Sequence, residues 1–391
     1  MFSVNINKTG NYLTLKNANR STKLHAIWLR DNAWDEKTRS PENSQRLITL
    51  KDIPKDTYIK SATISDSRLK IYFSPENKEI SYDINWLFKN SYDGYKDLSN
   101  GWTASKIERW DNSLTKNIPT GDFNDITNNS SALMNWLEAI ECFGFAKVSN
   151  GPVKDKALFD IVKLFGYVRE TNYGRHFEVR TEVNPTNLAY TGLSLQAHTD
   201  NPYRDPVPTI QILYCLESTA KGGENMVVDG FKVAQRLQTE NLEYFDVLSR
   251  YCSRFEYIGT GETALRSKRP LIELGPDGEL IGIRFNNRSS AATVDVPFDK
   301  MELYYAAYQR MGELIDDKSM AVTFRLEPGE SFIVDNTRVL HARKGYSGSG
   351  KRWLQGCYAD KDALYSRLNV LRFQSSSAVS YTHLTLPTNR D

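Results

Sequence analysis

Two histidines and one aspartate have the residue types and spacing that best fit metal chemistry in this sequence. His198 and Asp200 form an H-x-D motif within LQAHTDNPY, and in a strand residues two apart project to the same face. His341 lies far downstream, after an apolar segment at 332–334 and a polar turn. The motif alone is a weak signal, because composition by itself produces an H-x-D or H-x-E triplet in about half of comparable chains.

An arginine close to His341 adds to the same chemistry. Two imidazoles and one carboxylate form a facial triad that leaves three positions open on Fe(II). A bound 2-oxoglutarate would fill two of these positions, and O2 the third. Arg352 follows His341 by eleven residues, and its planar guanidinium suits the distal carboxylate of an oxo-acid better than lysine does. A zinc hydrolase could use the same His and Asp ligands, but it would leave Arg352 unexplained.

The overall composition argues against several classes of partner. The chain has 391 residues with 50 basic and 48 acidic side chains, which gives no electrostatic case for nucleic acid or an anionic membrane. No apolar run approaches the roughly 20 residues that span a bilayer, and MFSVNINKTGNY lacks a signal-peptide core. The four cysteines form no CxxC pair, so they indicate neither a disulfide framework nor a zinc ribbon. We expect a cytoplasmic protein.

Turn-forming residues and changes in composition divide the chain into four segments. Residues 1–95 have short strand patterns separated by Asn, Asp, Pro and Gly, and they predict a small β-rich domain. Residues 96–130 are polar and predict a linker. Residues 131–374 form the main domain. Residues 375–391 begin with a serine triplet and resemble a non-native tail, so its His383 is left out of functional reasoning.

The main domain is expected to be mainly β with some α. Many strands with few helices predict an antiparallel sandwich or jelly roll against which helices pack. Apolar residues recur at helical spacing from Ser131 onward. Further helices are predicted over 155–165, 231–238, 242–251 and 301–314, and strands over 209–216, 280–285, 321–326, 331–335 and 353–358.

Six separate stretches also resemble one known family. They are WLRDN at 28–32, NLAYTGLSLQAHTD at 187–200, GGENMVVDGF at 222–231, IRFNN at 283–287, VDNTRVLHARKGY at 334–346 and GCYADKDALYSRLNVL at 356–371. Together they resemble the γ-butyrobetaine and trimethyllysine dioxygenases, within the larger group of taurine-dioxygenase-like oxygenases, and the likeness is closer to the γ-butyrobetaine enzyme. The resemblance covers roughly residues 20–373.

The resemblance implies a fold, an assembly and a reaction. It implies a jelly-roll (double-stranded β-helix) catalytic domain, a small N-terminal domain and a homodimer. The implied reaction couples oxidative decarboxylation of 2-oxoglutarate, which yields succinate and CO2, to hydroxylation of an unactivated C–H bond. The implied substrate is a small trimethylammonium carboxylate, with conversion of γ-butyrobetaine to L-carnitine as the first candidate.

The family's substrate positions fall on six residues of this chain. A trimethylammonium group offers no N–H donor, so aromatic faces bind it best. The aromatic positions are Tyr173, Phe177, Tyr190 and Tyr358. Asn187 and Asn286 match positions that face the carboxylate end of the substrate. Phe177 stands where the family usually has Trp, and Phe is the weaker partner for a cation.

A second departure concerns the N-terminal domain. Relatives build a zinc site there, mostly from cysteines just after WLRDN, but no cysteine precedes Cys142 in this chain. We therefore expect no structural zinc.

Two other functions are also considered from the sequence. One is an oxygenase for a different quaternary amine, such as trimethyllysine or a trimethylammonium phosphonate; a phosphonate would require additional cationic donors near Asn187 and Asn286. The other is a non-catalytic β-sandwich binding module, against which the triad together with Arg352 argues.

Overall fold

The computed structural model describes residues 2–94, 100–180, 195–259, 262–347 and 350–377, and it divides the chain into two compact units, residues 1–97 and 98–391. The first unit contains two antiparallel three-stranded sheets, β1-β2-β3 and β4-β5-β6. Its strands and helices are β1 Ser3–Ile6, β2 Tyr12–Lys16, β3 Ser21–His25, α1 Ala26–Asp31, β4 Tyr58–Ser65, β5 Arg68–Ser74, β6 Lys78–Asp83 and α2 Ile84–Lys89.

Alternating apolar residues and one partly buried ion pair stabilise this first unit. Leu13 and Leu15 of β2 pack with Leu69 and Ile71 of β5 in a single apolar cluster, as the two-residue period of strands requires. The guanidinium of Arg30, at the end of α1, donates to both carboxylate oxygens of Glu76 at 2.7 and 2.9 Å. The last turn of α1 is thus tied to the β5–β6 turn by charge-assisted hydrogen bonds.

The second unit contains sixteen described strands and seven described α-helices. The strands are β7 Thr120–Asp122, β8 Phe145–Ser149, β9 Phe177–Val179, β10 Leu195–His198, β11 Ile210–Ser218, β12 Lys221–Gly222, β13 Asn225–Asp229, β14 Cys252–Ile258, β15 Ala264–Pro270, β16 Ile272–Leu274, β17 Leu280–Ile283, β18 Ala321–Phe324, β19 Ser331–Asp335, β20 Val339–Arg343, β21 Tyr346–Ser347 and β22 Arg352–Ala359. The helices are α3 Phe123–Asn128, α4 Ser130–Phe143, α5 Leu158–Val162, α6 Gly230–Glu240, α7 Leu242–Arg250, α8 Met301–Asp316 and α9 Lys361–Ser377.

Two of the sheets form a sandwich. The large sheet has the order β7-β8-β19-β11-β22-β9, and the small sheet has the order β10-β20-β13-β18. Side chains of both sheets share one apolar cluster, in which Phe324 of the small sheet lies 5.5 and 5.3 Å from the rings of Phe145 and Phe332 of the large sheet. Helices α4, α5 and α9 cover the outer face of the large sheet, and α6, α7 and α8 cover that of the small sheet.

The alternation along β11 and β20 decides which residues of these strands face the interior of the sandwich. On β11, Ile210 and Ile212 pack outward against helices, whereas Leu213 belongs to the cluster between the sheets. On β20, Leu340 and Ala342 likewise pack outward, which leaves His341 on the inner face. The strand period therefore puts polar side chains inside this sandwich while apolar neighbours hold each strand from outside.

The predicted linker over 96–130 is wrong for its described part, residues 100–130. Strand β7 pairs in parallel with β8 and forms an edge of the large sheet, and the ring of Trp110 is buried between the two sheets. The segment is polar because its Asp and Asn residues cap helices: Asp122 caps α3 and Asn129 caps α4. No helix in the part of the chain that the structure describes is both long and apolar enough to span a bilayer.

A buried ion pair fixes the start of β20. Arg338 donates to both oxygens of Asp229 at 3.0 and 2.9 Å, and both side chains are fully buried. Asp229 also accepts from the backbone N–H groups of Phe231 and Trp110 at 3.0 Å each. The pair thus joins β13, α6 and the turn before β20 at one point.

We predict that Asp229→Ala lowers the free energy of unfolding by about 3–5 kcal/mol, because it leaves the guanidinium of Arg338 buried without its counter-charge. Arg266→Ala removes an exposed pair with Glu256 and should cost below about 1 kcal/mol. Urea unfolding followed by tryptophan fluorescence measures both. Equal losses in the two variants would contradict this account of the pair.

Candidate metal centre and the cavity around it

The three predicted ligands converge on one point. His198 ends β10, His341 lies on β20, and the two residues are direct partners in the register of the paired strands. Their ring centroids are 4.5 Å apart. Asp200 Oδ1 lies 3.3 Å from Nε2 of His198 and 3.8 Å from Nε2 of His341. The sequence prediction of a two-histidine, one-carboxylate cluster therefore matches the geometry.

Asn336, in the turn between β19 and β20, fixes the backbone of Asp200. Its side-chain Oδ1 accepts from the N–H of Asp200 at 2.7 Å, and its Nδ2 donates to the carbonyl of Asp200 at 2.9 Å and to that of Pro208 at 2.8 Å. Asn336 is buried. One amide thus holds the residue after β10 against the turn that leads to His341, and sequence reasoning did not single it out.

Hydrogen bonds also orient the ligand side chains. His198 Nδ1 donates to the carbonyl of Gln196 at 2.7 Å, so Nε2 is the unprotonated nitrogen, and its lone pair accepts from Arg288 Nη2 at 2.7 Å. Asp200 Oδ2 accepts from Gln211 Nε2 at 2.7 Å and from the Tyr358 hydroxyl at 2.8 Å. Only Oδ1 of the carboxylate therefore faces the two imidazoles.

The charge states of the cluster suit a cation. Burial, assisted by the neighbouring His198, lowers the pKa of His341 to about 3, so this imidazole is neutral at physiological pH. Burial by itself would raise the pKa of Asp200, but His341, His198 and Arg288 outweigh it, and the pKa lies well below its usual range. A neutral imidazole and an ionised carboxylate are the forms that bind a metal ion.

These residues fit an iron site. One ligand atom from each of the three lies within 4.8 Å of the other two, and two imidazoles with one carboxylate are the donor set of a non-haem Fe(II) centre with open positions. A cavity of about 410 Å³ adjoins the cluster and provides room on its open side.

A second group of possible ligands has a different explanation. Asp155, His176 and Glu178 also place ligand atoms within 4.8 Å of one another. However, the buried amide of Gln355 donates to Asp155 at 2.7 Å and to Glu178 at 2.9 Å, and the indole of Trp353 donates to Glu178 as well. These carboxylates are thus already used as acceptors that tie β9 and the segment before α5 to β22.

Arg352 lines the same cavity, as its predicted role requires. It opens β22, is buried, and donates through Nε to the carbonyl of Gly223 at 3.1 Å and through Nη2 to Asn225 Oδ1 at 2.9 Å. These contacts with the start of β13 hold the guanidinium at the cavity wall. Arg343, two residues beyond His341 on β20, lines the cavity too and was not anticipated from the sequence.

Aromatic side chains form one wall of the cavity. Tyr173, Phe177 and Tyr358 all line it, with Phe177 6.4 Å from Tyr173 and 5.2 Å from Tyr358 between ring centroids. Phe177 lies over Gly356, where an added Cβ would come within 2.3 Å of the Phe177 ring. Glycine inside strand β22 therefore makes the space that this ring occupies.

The aromatic wall is larger than the sequence indicated. Tyr203 and Tyr257 also line the cavity and stack at 4.9 Å, and the hydroxyls of Tyr203 and Tyr173 lie 2.8 Å apart. Burial raises the pKa of Tyr203 to about 12, so its hydroxyl is neutral. Two further predicted substrate residues, Asn187 and Tyr190, lie outside the described residues.

The contacts of the residue predicted to face the carboxylate end of the substrate differ in part from the prediction. Asn286 lines the cavity, but its amide donates to the carbonyl of Thr199 at 2.9 Å and accepts from the N–H of Ser289 at 3.2 Å. Two residues on, Arg288 reaches into the cavity, and its Nη2 lies 2.7 Å from Nε2 of His198. Asn201 also lines it, and the described residues supply no partner for its buried Nδ2. Neither Arg288 nor Asn201 was predicted from the sequence.

Comparison with known proteins identifies the family. The family model described as "Taurine catabolism dioxygenase TauD, TfdA family" matches residues 106–358. The γ-butyrobetaine dioxygenase of Homo sapiens is 30% identical over 354 residues, which cover 89% of this chain and 90% of that protein. The mitochondrial trimethyllysine dioxygenase of Bos taurus is 28% identical over 373 residues, covering 93% of this chain and 86% of that protein.

Solved structures give weaker likenesses. The PvcB protein from Pseudomonas aeruginosa is 16% identical with a TM-score of 0.46, covering 67% of this chain and 94% of that one. The similarities that count are those of the family model and of the curated relatives, which extend over the triad and most of the chain. The chain belongs to the TauD, TfdA family and is a 2-oxoglutarate-dependent dioxygenase of the γ-butyrobetaine and trimethyllysine group, with Fe(II), 2-oxoglutarate and O2 as its cofactor and cosubstrates.

Proposed function

We propose that this protein hydroxylates a small trimethylammonium carboxylate, with γ-butyrobetaine converted to L-carnitine as the primary candidate. The observation that carries the proposal is that an aromatic wall and the His198, Asp200 and His341 cluster share one cavity. The relatives named for γ-butyrobetaine and trimethyllysine support the same class of substrate.

Each group of residues has a distinct part in the proposed reaction. His198, Asp200 and His341 would hold Fe(II), which would activate O2, the oxidant, and so couple decarboxylation of 2-oxoglutarate to hydroxylation of a C–H bond. Arg352 would bind the distal carboxylate of 2-oxoglutarate with its guanidinium. The rings of Tyr173, Phe177 and Tyr358 would hold the trimethylammonium group by cation–π attraction, and so fix which carbon faces the iron.

Asn187 and Tyr190 complete the proposed substrate site on the strength of their match to family positions. Asn286 would contribute mainly by holding the loop 285–289 against Thr199, because its amide is already engaged there. For the assembly, we propose that the sandwich is a double-stranded β-helix, that the chain forms a homodimer, and that the protein is cytoplasmic and lacks the N-terminal zinc of its relatives.

A specific observation favours a second candidate, an oxygenase for a trimethylammonium phosphonate. Such a substrate carries a more highly charged anionic end than a carboxylate and calls for additional donors. Arg288 supplies a guanidinium inside the cavity. Asn201 supplies a buried amide. Its Oδ1 accepts from the hydroxyl of Tyr203 at 2.8 Å, and the described residues supply no acceptor for its Nδ2, which would be a donor for the anionic group.

We predict that Arg352→Lys raises the KM for 2-oxoglutarate by about tenfold or more, because lysine cannot form the two parallel hydrogen bonds of a guanidinium with a carboxylate. Succinate formation at varied 2-oxoglutarate measures the effect. Arg266→Lys, at an exposed site, is the matched control and should leave the KM unchanged. An unchanged KM in Arg352→Lys would rule out its role as the anchor.

We predict that Phe177→Leu raises the KM for the quaternary amine by roughly fivefold, because a cation–π contact that is not fully shielded from solvent contributes about 1 kcal/mol. The KM for 2-oxoglutarate should stay as in the wild type, because the ring lies on the aromatic wall. A rise in both KM values would contradict this role, because it would mean that the substitution alters the structure of the whole cavity and not only the contact with the cation.

A substrate panel separates the two candidates. Succinate formation is measured with γ-butyrobetaine, trimethyllysine and a trimethylammonium alkylphosphonate, for the wild type and for Arg288→Ala. The primary candidate predicts the highest kcat/KM with γ-butyrobetaine. The second candidate predicts a higher kcat/KM with the phosphonate, and a decrease of that kcat/KM by tenfold or more in Arg288→Ala. If none of the three compounds stimulates succinate formation, the proposed substrate class is wrong.

A further inference from the structure

The two oxygens of the Asp200 carboxylate have separate surroundings. Oδ1 faces Nε2 of His198 and Nε2 of His341 at 3.3 and 3.8 Å. Oδ2 accepts two hydrogen bonds, from Gln211 at 2.7 Å and from Tyr358 at 2.8 Å. A carboxylate held in this way presents a single oxygen to a cation, and the second oxygen is used within the protein.

Both donors come from the sheet opposite the histidines. His198 and His341 belong to the small sheet, whereas Gln211 on β11 and Tyr358 on β22 are direct partners in the register of the large sheet. Both donors are buried, with 2% and 5% of their surface exposed. The side chain of Asp200 is thus held from across the sandwich, and its position depends on the two sheets keeping their spacing.

Tyr358 has a second contact on its ring. The ring lies 5.2 Å from that of Phe177 and lines the aromatic wall. Gln211 lines the cavity but has no aromatic face. Of these two donors to Asp200, only Tyr358 could therefore sense whether a cation occupies the wall.

We propose that Gln211 and Tyr358 are positioning residues that hold Asp200 in single-oxygen ligation, and that Tyr358 also couples cation binding at the aromatic wall to this ligand. A cation against the ring favours negative charge on the phenol oxygen, so the hydroxyl donates more strongly. A stronger bond to Oδ2 draws charge away from Oδ1 and weakens its bond to the metal. The coupling rests on the proposed trimethylammonium substrate, but the positioning of Asp200 does not.

The positioning is tested by metal affinity in the absence of substrate. Fe(II) is titrated anaerobically into the metal-free wild type, Tyr358→Phe and Gln211→Leu, with calorimetric detection. Each variant should bind Fe(II) about tenfold to a hundredfold more weakly, the usual effect of losing a residue that orients a ligand. Tyr214→Phe is the matched control, because Tyr214 is a buried β11 residue on the outer face whose hydroxyl donates to the carbonyl of Pro152 at 2.9 Å.

The coupling is tested by spectroscopy on the protein with Fe(II) and 2-oxoglutarate bound under anaerobic conditions. Addition of γ-butyrobetaine should shift the metal-to-ligand charge-transfer absorption of the wild type, of Gln211→Leu and of Tyr214→Phe. In Tyr358→Phe the shift should be lost, although equilibrium dialysis still detects γ-butyrobetaine binding through the retained ring.

The outcomes separate the claims. Fe(II) affinity of Tyr358→Phe and Gln211→Leu equal to that of Tyr214→Phe overturns the positioning role. A shift that persists in Tyr358→Phe overturns the coupling alone. A wild-type absorption that γ-butyrobetaine, trimethyllysine and a trimethylammonium alkylphosphonate all leave unmoved overturns the coupling together with the proposed substrate class, and the affinities still decide the positioning.

Discussion

The position of one carboxylate, that of Asp200, is the constraint on which the site depends. Asn336 holds its backbone from the turn before β20, and Gln211 and Tyr358 hold its side chain from the large sheet. Each of these bonds lies where little solvent competes, so each is stronger than its equivalent at a surface, and each would leave a costly unpaired group if broken. Oδ1 of Asp200 lies 3.3 Å from Nε2 of His198 and 3.8 Å from Nε2 of His341, so the three ligand atoms converge only while this carboxylate stays in place.

The rest of the second unit can be understood as the means of keeping those partners in place. Helices pack on the outer faces of both sheets and remove apolar side chains from water, and the phenylalanine cluster between the sheets sets their spacing. The buried pair of Asp229 and Arg338 joins β13 to the turn that begins β20. Polar groups can therefore face the interior at one end of the sandwich because apolar packing stabilises its other end and its outside.

Much of this could be predicted from the sequence, for physical reasons that differ between residues. The strand over 331–335 and the helices near 231, 242 and 301 follow from local periodicity, and the structure contains them. The triad follows from residue type, because few side chains bind iron and the spacing of His198 and Asp200 fits a strand. Arg352 was predicted from its spacing to His341 and from the need of a carboxylate for a cation, and the structure places it on the wall of the same cavity. The resemblance to the dioxygenase family supplied Tyr173, Phe177 and Tyr358, which local patterns alone would not distinguish from core aromatics.

What could not be predicted depends on contacts between distant parts of the chain. Gln211 and Tyr358 become neighbours only through the pairing of β11 with β22, and Arg288 enters the cavity only because its loop is tied to Thr199. The linker prediction is wrong for residues 100–130 because helix caps and an edge strand have the polar composition of a linker.

The most direct measurement of the central claim is anaerobic absorption spectroscopy of the metal-free protein titrated with Fe(II) in the presence of 2-oxoglutarate. The account predicts a metal-to-ligand charge-transfer band that saturates at one iron per chain and is absent from His341→Ala. A wild-type protein without the band, or a His341→Ala variant that retains it at full strength, would contradict an iron centre built on these residues.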